Sequence, residues 1–328
     1  MKLLTLAALA LVAAAPNPDA LQASYDGARD REERALRSGD RAAAARAHAE
    51  VLAAERHDHR PSSWRASRDS PGFAVPPIAR AERSKDEALA ARLAALGSSY
   101  RGWSAFWVHD LSTGTWAGWN SDARFPAAST VKLGVLAEAL RRGERPGSPL
   151  WYDLRQLAGW SSNLAANRVA RRVGGERAVE AALRRLGARA STYPGPYRAG
   201  TAVSSDTPNP PPHRHVRVTT AHDLGRMLYA LHAAAAGNRH VQRTAGLTRT
   251  QATRAIALLV HATSGGMVQP FAHAPTAHKE GWISDTRATA AIVYGQSPRI
   301  VVVLAYRPGI TEAEARSLGR RVSALTLH

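Results

Sequence analysis

The sequence predicts an α+β fold, in which both ends of one domain build a single sheet and a large helical insertion lies between them. Three observations predict it. Ser104 to Leu111 and Thr115 to Asn120 are aromatic and apolar segments joined by Ser112-Thr113-Gly114, the pattern of a hairpin. Residues 129 to 263 form a long helical region, with caps such as Thr220 three residues before Asp223 and the pair Gly174-Gly175 before Glu176 to Leu186. Arg287 to Tyr294 and Ile300 to Tyr306 then return to β-branched, apolar sequence, and Thr311 to Leu325 closes the chain as a helix.

The elements before the hairpin follow in order. Residues 1–20 read as a secretory signal: Lys2 is the positive region, and Leu3 to Ala15 is an unbroken apolar run ending in Ala13-Ala14-Ala15. That run is too short to span a membrane. The expected location is secreted or extracytoplasmic. Residues 21–78 read as an extension. Its first part, to residue 58, is an Ala-, Arg- and Glu-rich helix, or two helices broken near Ser38-Gly39-Asp40. Its second part carries Pro61, Pro71, Pro76 and Pro77 and reads as a linker. Residues 79–328 are the expected catalytic domain, opening with a helix over about 79 to 96 that Gly97 ends.

Composition excludes several classes of function. The 328 residues contain no cysteine, which removes disulfides, thiolate metal sites and cysteine nucleophiles. The net charge of +18 comes from arginines spread through helices rather than gathered in one tract, which speaks against a nucleic-acid partner. Solvated helix faces explain most of it, and attraction to an anionic cell-wall surface is the functional alternative. His213 and His215 sit in a basic, proline-rich loop without a nearby carboxylate, so neither a metal nor another cofactor is expected.

Lysine is the rare cation. Only four lysines occur among 44 cationic side chains, and two of them stand in short motifs. Lys132 follows Ser129 at helical spacing, and Lys279 precedes Gly281 by two residues. A guanidinium stays protonated, whereas a buried amine can lose its proton and act as a base. Ser129 at a helix start and Lys132 on the same face would suit a hydroxyl nucleophile and its base. Ser161-Ser162-Asn163 offers a hydroxyl for proton relay and an amide for a substrate carbonyl. Gly281, before an expected strand, would let an extended substrate approach closely. Each motif has a plain alternative: Ser161 and Asn163 as helix caps, Lys279 as a surface charge.

Taken together the motifs resemble the class A β-lactamase and penicillin-binding-protein superfamily of serine hydrolases. The resemblance runs from about Ser104 to the C-terminus. It is carried by Asp110-Leu111-Ser112-Thr113-Gly114, by Arg124-Phe125-Pro126-Ala127-Ala128-Ser129-Thr130-Val131-Lys132, by Ser161-Ser162-Asn163-Leu164-Ala165-Ala166-Asn167 and by His278-Lys279-Glu280-Gly281. It implies a three-layer α/β/α sandwich on a five-stranded antiparallel sheet. It implies an acyl-enzyme on Ser129 with a β-lactam or a cell-wall-peptide-like amide or ester. Lys132 would deprotonate Ser129, and Ser161 would protonate the leaving nitrogen. Asn163 and Lys279 would hold the substrate, and the N–H groups of Ser129 and Trp282 would form the oxyanion hole.

Two departures from that family stand out. No glutamate occurs between Glu180 and Glu280, so the omega-loop glutamate that clears the acyl-enzyme is missing; the corresponding stretch, Thr192 to Val218, has only Asp206. Penicillin turnover is therefore expected to be poor. Glu280 replaces the usual hydroxyl residue between lysine and glycine, where an ionised carboxylate would repel a substrate carboxylate; either it points away, or the substrate lacks that carboxylate, or Lys279 or Arg287 neutralises it. An esterase or D,D-peptidase on the same serine, or a catalytically weak binding module, are the competing readings.

Overall fold

The computed structural model describes residues 18–57, 71–195, 216–263 and 266–327. The apolar run of the expected signal lies outside them, as do Asp206, His213, His215 and the proline-rich stretch Thr207 to Pro212. The chain divides into two compact units at Ser63 and Trp64.

The first unit is a helical hairpin of α1 (Pro18–Ser38) and α2 (Arg41–His57). Gly39 turns the chain with φ 78°, and Asp40 accepts a bond from Ala43 N at 2.9 Å, capping α2. Tyr25, Ala28, Glu32 and Ala35 are buried in α1, and Ala44, Ala47, Val51 and Ala54 in α2, at spacings of three and four that make one seam. Glu32 is buried in that seam and meets His48 at 2.9 Å.

The second unit opens with extended chain. Phe73 and Val75 pack against its core, and His232 contacts the carbonyl of Ile78 at 2.7 Å, so this part of the expected linker is docked on the unit. The helix expected at 79 to 96 starts later. Residues up to Asp86 are extended, because β1 (Ser84–Lys85) pairs in parallel with β3 (Thr115–Trp119). Asp86 then caps α3 (Glu87–Ser98) through Leu89 N at 2.9 Å.

The main sheet adds β2 (Trp103–Asp110), β3 (Thr115–Trp119), β6 (Thr276–Ile283), β7 (Thr286–Val293) and β8 (Arg299–Tyr306). Its order is β1-β3-β2-β8-β7-β6. It thus has six strands rather than five, the addition being the two-residue β1; the other pairings are antiparallel. A small second sheet pairs β4 (Phe125–Pro126) with β5 (Val218–Thr219).

Between the two halves of the main sheet run α4 (Lys132–Arg141), α5 (Trp151–Gly159), α6 (Asn163–Arg172), α7 (Gly175–Arg185), α8 (Ala221–Ala235), α9 (Arg239–Ala245) and α10 (Arg249–Val260). α11 (Glu312–Thr326) closes the chain. Strand alternation sends Trp107, Ala290, Val302 and Leu304 into a core with the helices of the insertion. Phe106, Ala291, Val301 and Val303 point the other way, against Leu93 of α3 and Leu318 and Val322 of α11. Each layer buries one apolar face, which gives the three-layer sandwich.

One strand was hidden from sequence patterning. Lys279 and Gly281 lie inside β6 rather than before a strand. The segment carries His, Lys, Glu and Gly, so β propensity alone does not mark it. It is an edge strand of the sheet, with one side left open for a partner.

Candidate active site

The turn into α4 is built tightly. Thr130 N bonds to Ala127 O, Lys132 N to Ser129 O, Leu133 N to Thr130 O and Gly134 N to Val131 O, at 3.0–3.2 Å. These i→i+3 bonds mean that Ser129 lies in a turn before the helix, not in its first helical residue. Thr130 Oγ1 donates to Ala127 O at 2.7 Å and locks the turn from beneath. Ala128 has φ 45°, one of three left-handed non-glycine residues among those described. Another is Ser161, with φ 59°. Such residues cost on the order of 1 kcal/mol and collect at working sites.

Gly281 sets the distance between β6 and this turn. A Cβ there would lie 3.0 Å from both Ser129 N and Ala127 O, and 3.1 Å from Ala128 Cβ. Only glycine lets the strand run this close, which brings the open edge of β6 against the Ser129 backbone. Trp282, the next residue, is partly exposed, and Arg287 lies over its ring at 5.9 Å.

The two lysines meet at Ser161. Lys132 is fully buried and donates to Ser161 O and Asn163 Oδ1, both at 2.5 Å, and lies 3.4 Å from Ser161 Oγ. Lys279, 1 % exposed, donates to Ser161 Oγ at 2.7 Å and to Glu280 O at 2.9 Å. Ser161 Oγ therefore stands between two amines. Ser162, not Ser161 or Asn163, caps α6, accepting from Ala165 N at 3.2 Å. That leaves the flanking Ser161 and Asn163 side chains for the amines. Behind α6, Arg168 and Asp153 form a buried ion pair at 2.8 Å that ties α6 to α5. Ser129 is partly exposed.

Glu280 faces away from this cleft. Lys279 and Gly281 pair with Ala290 and Ala288, on the insertion side of the sheet, while Glu280 pairs with Thr289, on the α3 and α11 side. Its carboxylate meets His278 Nδ1 at 3.1 Å and accepts from Thr289 Oγ1 at 2.5 Å. It also sits where a Cβ on Gly266 would be. The period-2 rule applied to Thr276–Ile283 would have shown this orientation, had the segment been recognised as a strand.

The stems of the Thr192 to Val218 loop reach the same turn. Thr192 N bonds to Val218 O at 2.9 Å, and Ala127 N to Arg217 O at 2.9 Å, next to the β4–β5 pair. The acids that flank the loop are committed to holding it. Glu180 accepts from Tyr193 N at 3.0 Å, and Asp223 accepts from the amides of Ala190 and Ser191 at 2.7 and 2.8 Å. Burial raises the Tyr193 phenol to about 12. Sequence reasoning gave Ala128 and Thr130 no role of their own, left the direction of Glu280 open and did not find Thr289 as its partner. Backbone strain and strand orientation leave little mark on residue type.

So Lys132, Ser161, Asn163 and Lys279 meet in one hydrogen-bonded cluster, and Gly281 sets its strand against the Ser129 turn, with Trp282 next in sequence, while Glu280 turns to the other face of the sheet. No curated protein is significantly similar to this chain. Solved structures share its fold. PBP-A matches with a TM-score of 0.60 and 16% identity over 75% of this chain and 98% of that one. A β-lactamase from Xanthomonas campestris pv. campestris matches with a TM-score of 0.58 and 17% identity over 77% and 98%. A variant of the last common ancestor of Gram-negative bacteria class A β-lactamase matches with a TM-score of 0.59 and 20% identity over 73% and 98%. A sequence model of the "Beta-lactamase enzyme family" matches residues 88–147 and 147–328. The chain belongs to that family, as a serine hydrolase of the β-lactamase type.

Proposed function

We propose that Ser129 forms an acyl-enzyme with a β-lactam or a cell-wall-peptide-like amide or ester, and that a penicilloyl adduct is cleared slowly. One observation carries the reading: two buried amines converge on Ser161 Oγ beneath the Ser129 turn. Lys132 in its neutral form takes the proton of Ser129 Oγ as that oxygen attacks the carbonyl carbon. The carbonyl oxygen becomes an oxyanion, held by the N–H groups of Ser129 and Trp282. Ser161 gives its proton to the leaving nitrogen and regains one from Lys132 as the C–N bond breaks. Lys279 orients Ser161, and Asn163 with Lys279 holds the substrate. An extended acyl chain lies along the open edge of β6, which Gly281 brings to the turn.

Slow clearance follows from the missing base. No glutamate lies between Glu180 and Glu280, and Glu280 itself is turned to the far face of the sheet. A single-residue mutant of PBP-A was solved as an acyl-enzyme complex with penicillin G, at 16% identity to this chain. The same absence favours a second reading, an esterase or D,D-peptidase on the same serine, whose natural adduct needs no carboxylate-activated water on that loop. Export to a secreted or extracytoplasmic location and association with an anionic surface complete the proposal.

Intact-mass spectrometry over time tests it. Penicillin G should add one adduct to the wild type that persists for many minutes, and none to Ser129→Ala. Turnover of nitrocefin compared with a small acyl ester and a D-alanyl-D-alanine peptide then separates the two readings. No adduct from any β-lactam, ester or phosphonate would end the proposal.

A further inference from the structure

A second charged region lies at the far end of the helical insertion, and nothing in the acyl-transfer chemistry uses it. Residues 224–279 contain no Asp or Glu, while Arg226, Arg239, Arg243, Arg249 and Arg254 fall among them. Where α9 turns into α10, an open groove of about 420 Å³ is lined by Arg239, Gln242, Arg243, Gly246, Leu247 and Thr248. Arg239 and Arg243 are one helical turn apart and exposed, and no described acid pairs with either. Both are cations with open donors on one helix face.

The groove continues onto a second set of arginines. The side chains of Arg141 and Arg185 lie against Gly246, where a Cβ would be 3.2 and 3.6 Å from their Cδ atoms. Both of these, and Arg142, bind the single buried carboxylate of Glu138, at 2.7, 2.5 and 2.8 Å. Three positive charges on one negative charge leave a surplus, and Arg185 Nε is buried without a hydrogen-bond partner among the described residues. Arg239, Arg243, Arg141 and Arg185 thus gather around Gly246, with Glu138 beneath the last two.

We propose that this arginine cluster binds a linear polyanion whose charges are phosphates, independently of the acyl-transfer site. Guanidinium forks fit phosphate oxygens two at a time, and several forks spread along an open groove fit a chain of charges better than one small ion. Residues 231–270 contain no Phe, Tyr or Trp, so these segments offer a nucleobase no large aromatic face to stack on. The ligand is held by its backbone charge alone.

The test uses the full chain and long-chain inorganic polyphosphate as the probe, with binding followed by titration at increasing salt. Three proteins are compared: the wild type, Arg239→Glu/Arg243→Glu, and Arg320→Glu/Arg321→Glu. The last pair is exposed on α11 and carries the same change in charge. At about 50 mM salt the groove variant should bind about tenfold or more weakly, with a smaller salt slope, and the α11 variant within about threefold of wild type. Acylation by penicillin should be unchanged in both. Equal losses in the two variants would overturn the proposal in favour of a diffuse charge effect, as would no binding by the wild type. Single-stranded DNA of matched length binding about tenfold tighter than polyphosphate would also overturn it, in favour of a nucleic-acid site.

Discussion

The cleft and the arginine corner both crowd cationic side chains, yet they do it with different residues and to different ends. In the cleft, Lys132 and Lys279 aim compact amines at the neutral oxygens of Ser161, Asn163 and the Glu280 backbone. At the corner, Arg141, Arg142 and Arg185 surround the carboxylate of Glu138. An arginine brings a fixed charge and a planar fork, so it suits a permanent junction between α4 and α7. A lysine brings one point that can gain or lose a proton, so it suits a place where a proton must move. The rarity of lysine in the sequence becomes intelligible on this contrast: arginine serves wherever charge is enough.

Exchanging the cations is the severest test of that contrast. Lys132→Arg puts a permanently protonated group where the neutral amine acts, and so removes the base. Acylation of Ser129 by a fluorescent penicillin should fall by about 10³-fold, within the usual range for losing an acid–base group. Arg185→Lys at the corner should leave acylation unchanged. Near-normal labelling of Lys132→Arg, within tenfold of wild type, would take proton transfer away from residue 132.

Removing the corner's carboxylate asks whether it is structural. Glu138→Gln leaves three arginines without their shared anion. All three are partly exposed, so water screens them, and the expected loss is about 1–2 kcal/mol in urea unfolding. Burial of Glu138 opposes its charge, but the bonds from Arg141 and Arg142 and the charge of Arg185 outweigh burial and hold its pKa below the usual value. A lowered carboxylate stabilises the fold above its unfolded pKa of about 4.3, and that stability is lost as pH falls through the folded value. The gap between wild type and Glu138→Gln should therefore narrow on acidification. A gap that widened would mean that the carboxylate is not charged in the fold.

Glu280 sharpens the comparison on the cleft side. Glu280→Thr restores the hydroxyl common in the family, but on the face turned to α3 and α11. It should cost about 1 kcal/mol through the lost contacts to His278 and Thr289, and it should not speed acylation. An increase of tenfold or more in the labelling rate would show that residue 280 reaches the cleft.

The cleft residues were legible in the sequence because chemistry restricts them. A serine, two lysines, an asparagine and a glycine at set intervals have few other reasons to occur together. The hairpin of β2 and β3 and the strands β7 and β8 were legible from their aromatic and β-branched apolar residues and the turn at Ser112-Thr113-Gly114. What stayed hidden depended on tertiary context. β6 pairs because β7 is beside it, although its own residues are polar. Extended chain before Asp86 looks helical in composition, yet it is drawn onto β3 by the bonds Arg83 N to Gly114 O and Asp86 N to Trp116 O, at 2.8 and 2.7 Å. The orientation of Glu280 needed only the strand assignment, which shows how one missed element hides a site's chemistry.

Histidine gives a third kind of cation and the smallest expected effect. The His222 ring stacks on Trp107 with centroids 4.1 Å apart. Its Nδ1 lies 3.0 Å from Asp122 Oδ1 and its Nε2 3.4 Å from Glu82 Oε1, so it ties the start of α8 to the turn after β3 and to the extended chain before β1. Burial and Arg226 press its pKa down, yet the contacts with Glu82 and Asp122 outweigh them and raise it above the ordinary value. A raised histidine stabilises the fold fully below its unfolded pKa of about 6.5, and that contribution is lost as pH rises through the folded value. Melting curves of wild type and His222→Asn from mildly acidic to alkaline pH should show a gap below about 1 kcal/mol that closes as pH rises. Glu138→Gln should show no such change over the same range, because its arginine partners keep their charge. A His222→Asn gap that stayed constant would place a neutral imidazole in the fold, and would leave stacking on Trp107 as its whole contribution.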